Sequence, residues 1–216
     1  MSKVIKFGED VPGYEIPVLN EREIRAAAGI LFVWAFLSVL TAIMKGSFVM
    51  LKYFILAFLF DFLIRVFINP KFSPMLIIGR LIVRRQTPEY VGAAQKKFAW
   101  VIGLILVLIM LVLVVFVNSY SPITGIICLI CLIFLLFESA FGICLGCLFY
   151  GWFYGKKAQY CPGEVCEIKD RQEIQKTSWA QIIIVLGFIA FIVVSVILFK
   201  EAFSVKPQDL FKMLGS

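Results

Sequence analysis

Long apolar runs alternate with short polar segments along this chain, and the runs dominate its pattern. A helix of about 20 apolar residues crosses the roughly 30 Å hydrocarbon core of a membrane. Runs of about that length predict five spanning helices, at about 26–44, 48–68, 98–117, 122–152 and 178–200. The pattern therefore predicts an all-α fold, a polytopic transmembrane helical bundle.

A shorter helix is predicted between the second and third spans, at about 75–85. Pro74 suits the first position of a helix, and Arg80 and Arg84 lie one turn apart among apolar residues. The segment is too short to cross a membrane. We expect it to lie in the cytoplasmic interface with both arginines on one face.

The fourth apolar run is longer than one crossing requires, so we expect it to tilt, break or protrude. Its second half contains Gly142 and Gly146, a spacing of small residues that lets another helix approach closely. Close helix packing is the favoured role of these glycines, and a hinge or a break in the helix is the alternative.

The domain organisation follows from these runs. Asn20 and Glu23 resemble a capping box at the start of the first span. We expect an N-terminal arm at 1–25, a four-span core at 26–157, a loop containing cysteines at 158–177, and an extra span with a short tail at 178–216.

The composition supports a membrane location and the charges predict an orientation. The chain of 216 residues is 62% hydrophobic and carries a net charge of +7. Basic residues concentrate at 71–97 and 156–176, so the positive-inside rule predicts both segments and the N-terminus in the cytoplasm. The C-terminus is then outside the cytoplasmic membrane.

The first 25 residues are polar, so no cleavable signal is expected. We expect the basic segments to contact anionic lipid headgroups rather than nucleic acid.

The sequence contains no histidine, which excludes Ser-His and Cys-His catalytic pairs and histidine-ligated metals. Thiols are therefore the leading candidates for chemistry. The six cysteines form three close pairs: Cys128/Cys131, Cys144/Cys147 and Cys161/Cys166.

The pair Cys144/Cys147 is a C-x-x-C motif near the predicted cytoplasmic end of span four. Residues three apart on a helix share a face, so both thiols can meet one partner. Reactive cysteines usually lie at helix N-termini, whereas an unbroken span would place these toward a C-terminus. We expect either a helix break near Gly142 or activation by the nearby Lys156 and Lys157.

The pair Cys161/Cys166 encloses Pro162-Gly163, which suits a type II turn that brings the two thiols together. Cytosolic disulfides are usually transient and catalytic, so redox cycling is the favoured role. The spacing of Cys144, Cys147, Cys161 and Cys166 also suits a four-thiolate zinc or iron–sulfur site. Unreactive packing is the third alternative.

The outer pair, Cys128/Cys131, is expected to act as two small hydrophobic residues within span four. The functional alternative is a relay of reducing equivalents across the membrane.

Three ionisable residues lie at membrane depth: Asp61, Arg65 and Glu138. Buried charges are costly unless paired, so each is a candidate functional residue. Asp61 and Arg65 are four apart and are expected to pair along span two. Glu138 has no opposite charge nearby in sequence. It is expected either to meet Arg65 or to stay protonated and exchange a proton with the thiols.

Several segments also carry a family resemblance: Phe67 through Pro74, Gly79-Arg80-Leu81, Lys97-Phe98-Ala99, Ile102-Gly103-Leu104, and Glu138 through Cys147. Over about residues 16–157 they resemble the bacterial membrane family called domain of unknown function 4395. The resemblance implies four spans, which makes span five an addition, and it implies no established activity. Relatives that occur alongside thioredoxin-like and sulfur-transfer proteins suggest a partner of that kind.

These features favour a membrane protein that carries out thiol–disulfide or persulfide exchange. Cys144 and Cys147 would form the embedded pair, Cys161 and Cys166 would shuttle electrons or sulfur, and Glu138 would handle the proton. No cofactor is expected under this hypothesis. One alternative is an accessory protein with a structural zinc on the four cysteines. Another is a transporter of small sulfur species or ions lined by Asp61, Arg65 and Glu138.

Overall fold

A computed structural model describes residues 7–154 and 176–209, and within them the chain is almost entirely helical. The α-helices, in chain order, are α1 (Glu21–Lys45), α2 (Val49–Leu63), α3 (Pro74–Val83), α4 (Ala93–Met110), α5 (Pro122–Leu136), α6 (Leu145–Tyr154) and α7 (Trp179–Ser204). The all-α prediction is confirmed.

Three of these helices continue without interruption into π-helical turns. The turn after α2 covers Ile64–Ile68, the turn after α4 covers Leu111–Phe116, and the turn after α5 covers Phe137–Phe141. Such turns often occur at functional sites, because they rotate side chains out of the regular helical register. The turn after α5 carries Glu138.

By length and composition, four helical segments can cross a membrane: α1, α4 with its π-turn, α5 with its π-turn, and α7. The predicted second span corresponds to α2 and its π-turn, which together run from Val49 to Ile68. The prediction of a polytopic helical bundle is confirmed.

The helix α1 begins at Glu21, earlier than the predicted boundary at residue 26. Asn20 caps it as predicted: the Asn20 side chain accepts a hydrogen bond from the Arg22 backbone N–H and donates one to Glu23, at 3.0 Å. As a result, Glu21 and Glu23, which were predicted to belong to the polar N-terminal arm, lie in the first turn of a membrane helix.

The predicted fourth span is not one continuous helix. After Phe141 the chain turns at Gly142, whose φ of +67° is a left-handed conformation that favours glycine, and α6 starts three residues later at Leu145. Close packing and a break in the helix were the two roles considered for Gly142, and the structure shows the break. Gly146 has the packing role, since an added Cβ there would lie 2.4 Å from Ala99 Cβ on α4.

The short helix predicted at about 75–85 is present as α3, but its two arginines are placed differently from the prediction. It packs closely against α1, and an added Cβ at Gly79 would lie 2.5 Å from the Glu23 carbonyl oxygen. Arg80 is buried and forms an ion pair with Glu23 at 3.0 Å, whereas Arg84 is exposed. The two arginines therefore do not share one face, because Arg80 turns inward to a carboxylate that sequence spacing does not reveal.

Two small strand pairs hold opposite ends of the bundle. Antiparallel strands β1 (Val18–Asn20) and β2 (Tyr90–Gly92) bring the starts of α1 and α4 together at one end. At the other end, strands β3 (Ser119–Tyr120) and β4 (Gln208–Asp209) pair in parallel.

The core lies mainly between α1, α2 and α4, and aromatic rings fill much of it. Phe58 and Phe62 stack one turn apart with ring centroids 4.0 Å apart. Helix α7 attaches at the side of α2, where Phe60 stacks on Phe188 and Phe191. At the end that holds β1 and β2, the Gln181 side chain donates to the Lys71 carbonyl at 3.0 Å.

Candidate functional site

The pair Cys144/Cys147 lies at the start of α6, not at the end of a helix. Cys144 directly precedes the first helical residue, and the Cys147 backbone N–H donates to both the Cys144 carbonyl, at 3.0 Å, and Cys144 Sγ, at 3.3 Å. The Cys144 sulfur therefore caps the helix. The break at Gly142 creates this arrangement, because it ends α5 and starts a new N-terminus beside the motif.

The two thiols differ in exposure. Cys144 is half-buried, while Cys147 is buried, and both are free thiols. A hydrogen bond with the Cys147 side chain, together with burial, raises the pKa of the Cys144 thiol well above its usual value, and Lys96 opposes that rise. The Cys144 thiol is therefore harder to deprotonate than an ordinary cysteine, and a nearby base would assist its reaction.

A buried ion cluster lies beside this pair, where α1, α4 and the π-turn after α5 meet. Lys96 is 1% exposed and contacts two carboxylates, Glu21 at 2.7 Å and Glu138. Glu21 is fully buried, whereas Glu138 keeps 15% of its side chain exposed. One cation between two carboxylates leaves a formal charge of −1, so the cluster is suited to holding a proton.

The partner of Glu138 is therefore Lys96, and the expectation that Glu138 meets Arg65 is wrong. Sequence reasoning missed both Lys96 and Glu21. Lys96 was counted with the basic segment that sets orientation, and Glu21 with the polar arm. One available signal was that each lies next to the start of a long apolar run.

The predicted pair Asp61/Arg65 is present. Arg65 Nε donates to Asp61 at 2.7 Å, and both side chains are almost completely buried. Asp61 also accepts bonds from the Ser73 hydroxyl at 2.6 Å and the Met75 backbone N–H at 2.9 Å. The pair thus joins the end of α2 to the start of α3, which is a structural role for Asp61.

A cavity of about 70 Å³ connects these groups. Cys144, Glu138, Arg65 and Cys131 all line it, and the rest of its wall is mostly apolar and aromatic. The guanidinium of Arg65 lies over the ring of Trp100, another lining residue, at 5.2 Å. The cavity therefore brings the thiols of Cys131 and Cys144 and the carboxylate of Glu138 to the same space.

Residues 19–154 match the family model described as domain of unknown function (DUF4395). The chain belongs to the DUF4395 family. No curated protein and no solved structure matches it. The matched range contains α1 to α6 and every residue of the cavity and the ion cluster, while α7 lies beyond it.

Within the DUF4395 region, Cys128 and Cys131 lie on α5, and both are half-buried against the core. The other predicted pair, Cys161/Cys166, lies outside the described residues, as do Lys156 and Lys157. Among residues 7–154 and 176–209, no group of three or more cysteine or acidic residues is arranged to hold a metal ion. The four-cysteine zinc site therefore stays a prediction.

Proposed function

We propose that this DUF4395 protein carries out thiol–disulfide exchange at the edge of a membrane, with Cys144 and Cys147 as the reacting pair. The observation that supports this most directly is the placement of Cys144. Its sulfur caps the N-terminus of α6 and shares a cavity with the carboxylate of Glu138. Thiolates are the attacking species in exchange, and a helix N-terminus favours the thiolate against the burial that raises the pKa of Cys144.

The difference in exposure assigns the two thiols different roles. Cys144 attacks one sulfur of a partner disulfide, which forms a mixed disulfide and releases the first partner thiol. Buried Cys147 then attacks Cys144 Sγ, which closes the Cys144–Cys147 disulfide and releases the second partner thiol. Two electrons and two protons pass from the pair to the partner, and the same steps run in reverse when the partner is a dithiol.

Glu138 would accept the proton that Cys144 loses. Its carboxylate contacts Lys96, which also contacts Glu21, and Glu138 retains some exposure and lines the cavity. A base at this position compensates for the burial that keeps Cys144 protonated. Removing the proton locally matters because water has little access to this site.

We place the protein in the cytoplasmic membrane, with the starts of α1, α4 and α6 on the cytoplasmic side. The basic segments 71–97 and 156–176 support this orientation, since positive residues concentrate on that side. Cys161 and Cys166 would then exchange electrons or sulfur between the embedded pair and a cytosolic thioredoxin-like or sulfur-transfer protein. Anionic headgroups would contact the basic segments.

Trapping of the mixed disulfide tests this proposal, with glutathione disulfide as the probe. In membranes that contain the full chain, Cys147→Ser should accumulate glutathione on Cys144, because no second thiol displaces it. The wild type should instead form the Cys144–Cys147 disulfide. Peptide mass mapping under non-reducing conditions distinguishes the two products.

The matched control is Cys144→Ser, which should carry little glutathione on buried Cys147. Cys131→Ser should behave like the wild type at Cys144. If Cys147→Ser carries no more glutathione on Cys144 than the wild type does, the pair does not act by this mechanism.

A further inference from the structure

Three neighbouring cavities lie along α5, and each adjacent pair of cavities shares a cysteine in its lining. Cys144 and Cys131 line the 70 Å³ cavity, and Cys131 and Cys128 line a second one of about 30 Å³. Cys128 also lines a third, much larger cavity of about 420 Å³ between α1, α2, α4 and α5. Cys128 therefore lines a space large enough for a ligand, as small-molecule pockets span roughly 300–1,000 Å³.

The large cavity is lined mainly by apolar side chains and opens at the surface of the bundle. Two of its lining residues, Ile43 and Leu129, are 77% and 57% exposed on the apolar surface of the bundle. Two of its polar residues, Ser121 and Thr124, bond to each other in the cap of α5. A ligand that enters here comes from the lipid phase and is itself largely apolar, because these capping groups are not free to solvate a charged one.

We infer that the 420 Å³ cavity binds a lipid-soluble quinone, and that Cys128 and Cys131 reduce it. An engineered apolar cavity of about 150 Å³ already holds benzene, so 420 Å³ accommodates a quinone ring with part of its tail. Lipid-soluble quinones are the class of oxidant that dissolves in hydrocarbon and takes two electrons with two protons. This site is separate from Cys144, and the inference does not require exchange there.

The atoms and electrons of the redox step balance between the cysteine pair and the quinone. Two S–H bonds break, one Sγ–Sγ bond forms between Cys128 and Cys131, and both quinone carbonyls become hydroxyls. Residues three apart on an α-helix have Cα atoms about 5 Å apart, which falls within the roughly 4.4–6.8 Å range of disulfides. The Cβ atoms of such residues are about 5–6 Å apart, beyond the roughly 3.5–4.5 Å of disulfides, so closure requires the helical turn between Cys128 and Cys131 to tighten locally.

The experiment uses the full chain, reduced and embedded in lipid nanodiscs without oxygen, with a decyl-tailed ubiquinone as the probe. The quinone absorbance should fall as two free thiols, mapped to Cys128 and Cys131, are lost to tagging. About one quinone should be reduced per chain. Cys128→Ser and Cys131→Ser should each abolish the reduction. Cys144→Ser should retain it, so failure at this site is distinguishable from failure of the proposed exchange.

A pair of glycine variants tests the cavity itself. Gly125 lines the cavity and Gly187 lies on α7, and an added Cβ at either meets no atom within 4 Å. Gly125→Phe should raise the quinone concentration for half-maximal oxidation at least tenfold, whereas Gly187→Phe should leave it unchanged. Gly125→Val replaces the larger variant if that one does not fold.

Two results would overturn the inference. One is a wild-type chain that keeps Cys128 and Cys131 reduced in the presence of quinone. The other is equal quinone dependence in the Gly125 and Gly187 variants, which would show that oxidation occurs without binding in this cavity.

Discussion

Lys96 is the residue that holds the site together, because it neutralises carboxylates from two other segments of the chain. Glu21 comes from the start of α1 and Glu138 from the π-turn after α5. Burial of three charges is tolerable only while they remain in contact. The pairing brings Glu138 to the cavity that Cys144 lines, so one lysine connects the stability of the bundle with its proposed chemistry.

Removal of this cation should destabilise the protein strongly. Lys96→Met leaves two buried carboxylates without a partner, and breaking a buried ion pair costs about 3–5 kcal/mol. Thermal unfolding in detergent measures the loss. The matched control is Lys97→Met, since Lys97 is exposed and lies over the Phe7 ring at 5.0 Å. Similar melting temperatures for the two variants would contradict the role assigned to Lys96.

Glu138→Gln should have opposite effects on two reactions of Cys144. The charge of Glu138 contributes to the raised pKa of Cys144, so its removal should lower that pKa and speed simple alkylation about threefold at neutral pH. Exchange with glutathione disulfide should slow, because the proton acceptor is gone.

Rates of maleimide labelling and of glutathione exchange, measured on the same preparation, separate the two effects. The exposed Glu201 provides the control, as Glu201→Gln should change neither rate. Slower alkylation together with slower exchange would indicate general damage to the site rather than loss of a proton acceptor.

At the scale of elements, the contact of α6 with α4 decides where the reactive thiol lies. Gly146 allows this contact, since no side chain fits between its backbone and Ala99. Phe98 and Tyr150 meet edge to face at 5.6 Å in the same interface. The helix that starts at the C-x-x-C motif is thus held against the helix that carries Lys96.

Gly146→Ala should therefore cost stability, although alanine favours helices. The added methyl group overlaps Ala99 and forces α6 away from α4, which typically costs about 1–3 kcal/mol. Gly187→Ala is the matched control on α7, where the added group meets open space and should be neutral or stabilising. Melting temperatures compare the two, and equal values would contradict the close packing.

The helices and their contacts also show which features of the fold the sequence alone can predict. Apolar runs located four of the five predicted spans to within about five residues, because hydropathy acts locally along the chain, but they did not show that the fourth span breaks after Phe141. The Asp61/Arg65 pair was predictable, since four residues make one helical turn. Contacts such as Lys96 with Glu21 join residues 75 positions apart, and only the packed bundle brings them together. The turn at Gly142 was one of two alternatives, because a glycine in a long span suits both close packing and a break.

At the scale of the whole molecule, the two ends of the bundle differ in character. The end with Glu21, Lys96 and Cys144 contains buried ion pairs and the thiol pair. The opposite end contains Lys52, which is 1% exposed and donates to Asn118 at 2.7 Å and to the Val205 carbonyl at 3.1 Å. Among the described residues, the first end brings a carboxylate and a thiol to one cavity, whereas Lys52 does not line the cavity beside Cys128.

The orientation predicts which end an external reagent reaches. Arg85 and Lys206 are both exposed and lie at opposite ends of the bundle. In a background without native cysteines, Lys206→Cys should react with a membrane-impermeant maleimide in intact cells, and Arg85→Cys should react only after lysis. The reverse pattern would place the thiol pair on the outer side and remove the cytosolic partner from the proposal.

The most direct test of the thiol pair is its redox equilibrium. Membranes that contain the full chain are equilibrated with buffers of defined thiol–disulfide potential, and free thiols are counted by a mass tag and mapped to residues. We predict a reversible Cys144–Cys147 disulfide with a midpoint between about −270 and −120 mV, the range of thiol-exchange proteins. If both thiols remain free across this range, Cys144 and Cys147 are packing residues and exchange is not the function of this site.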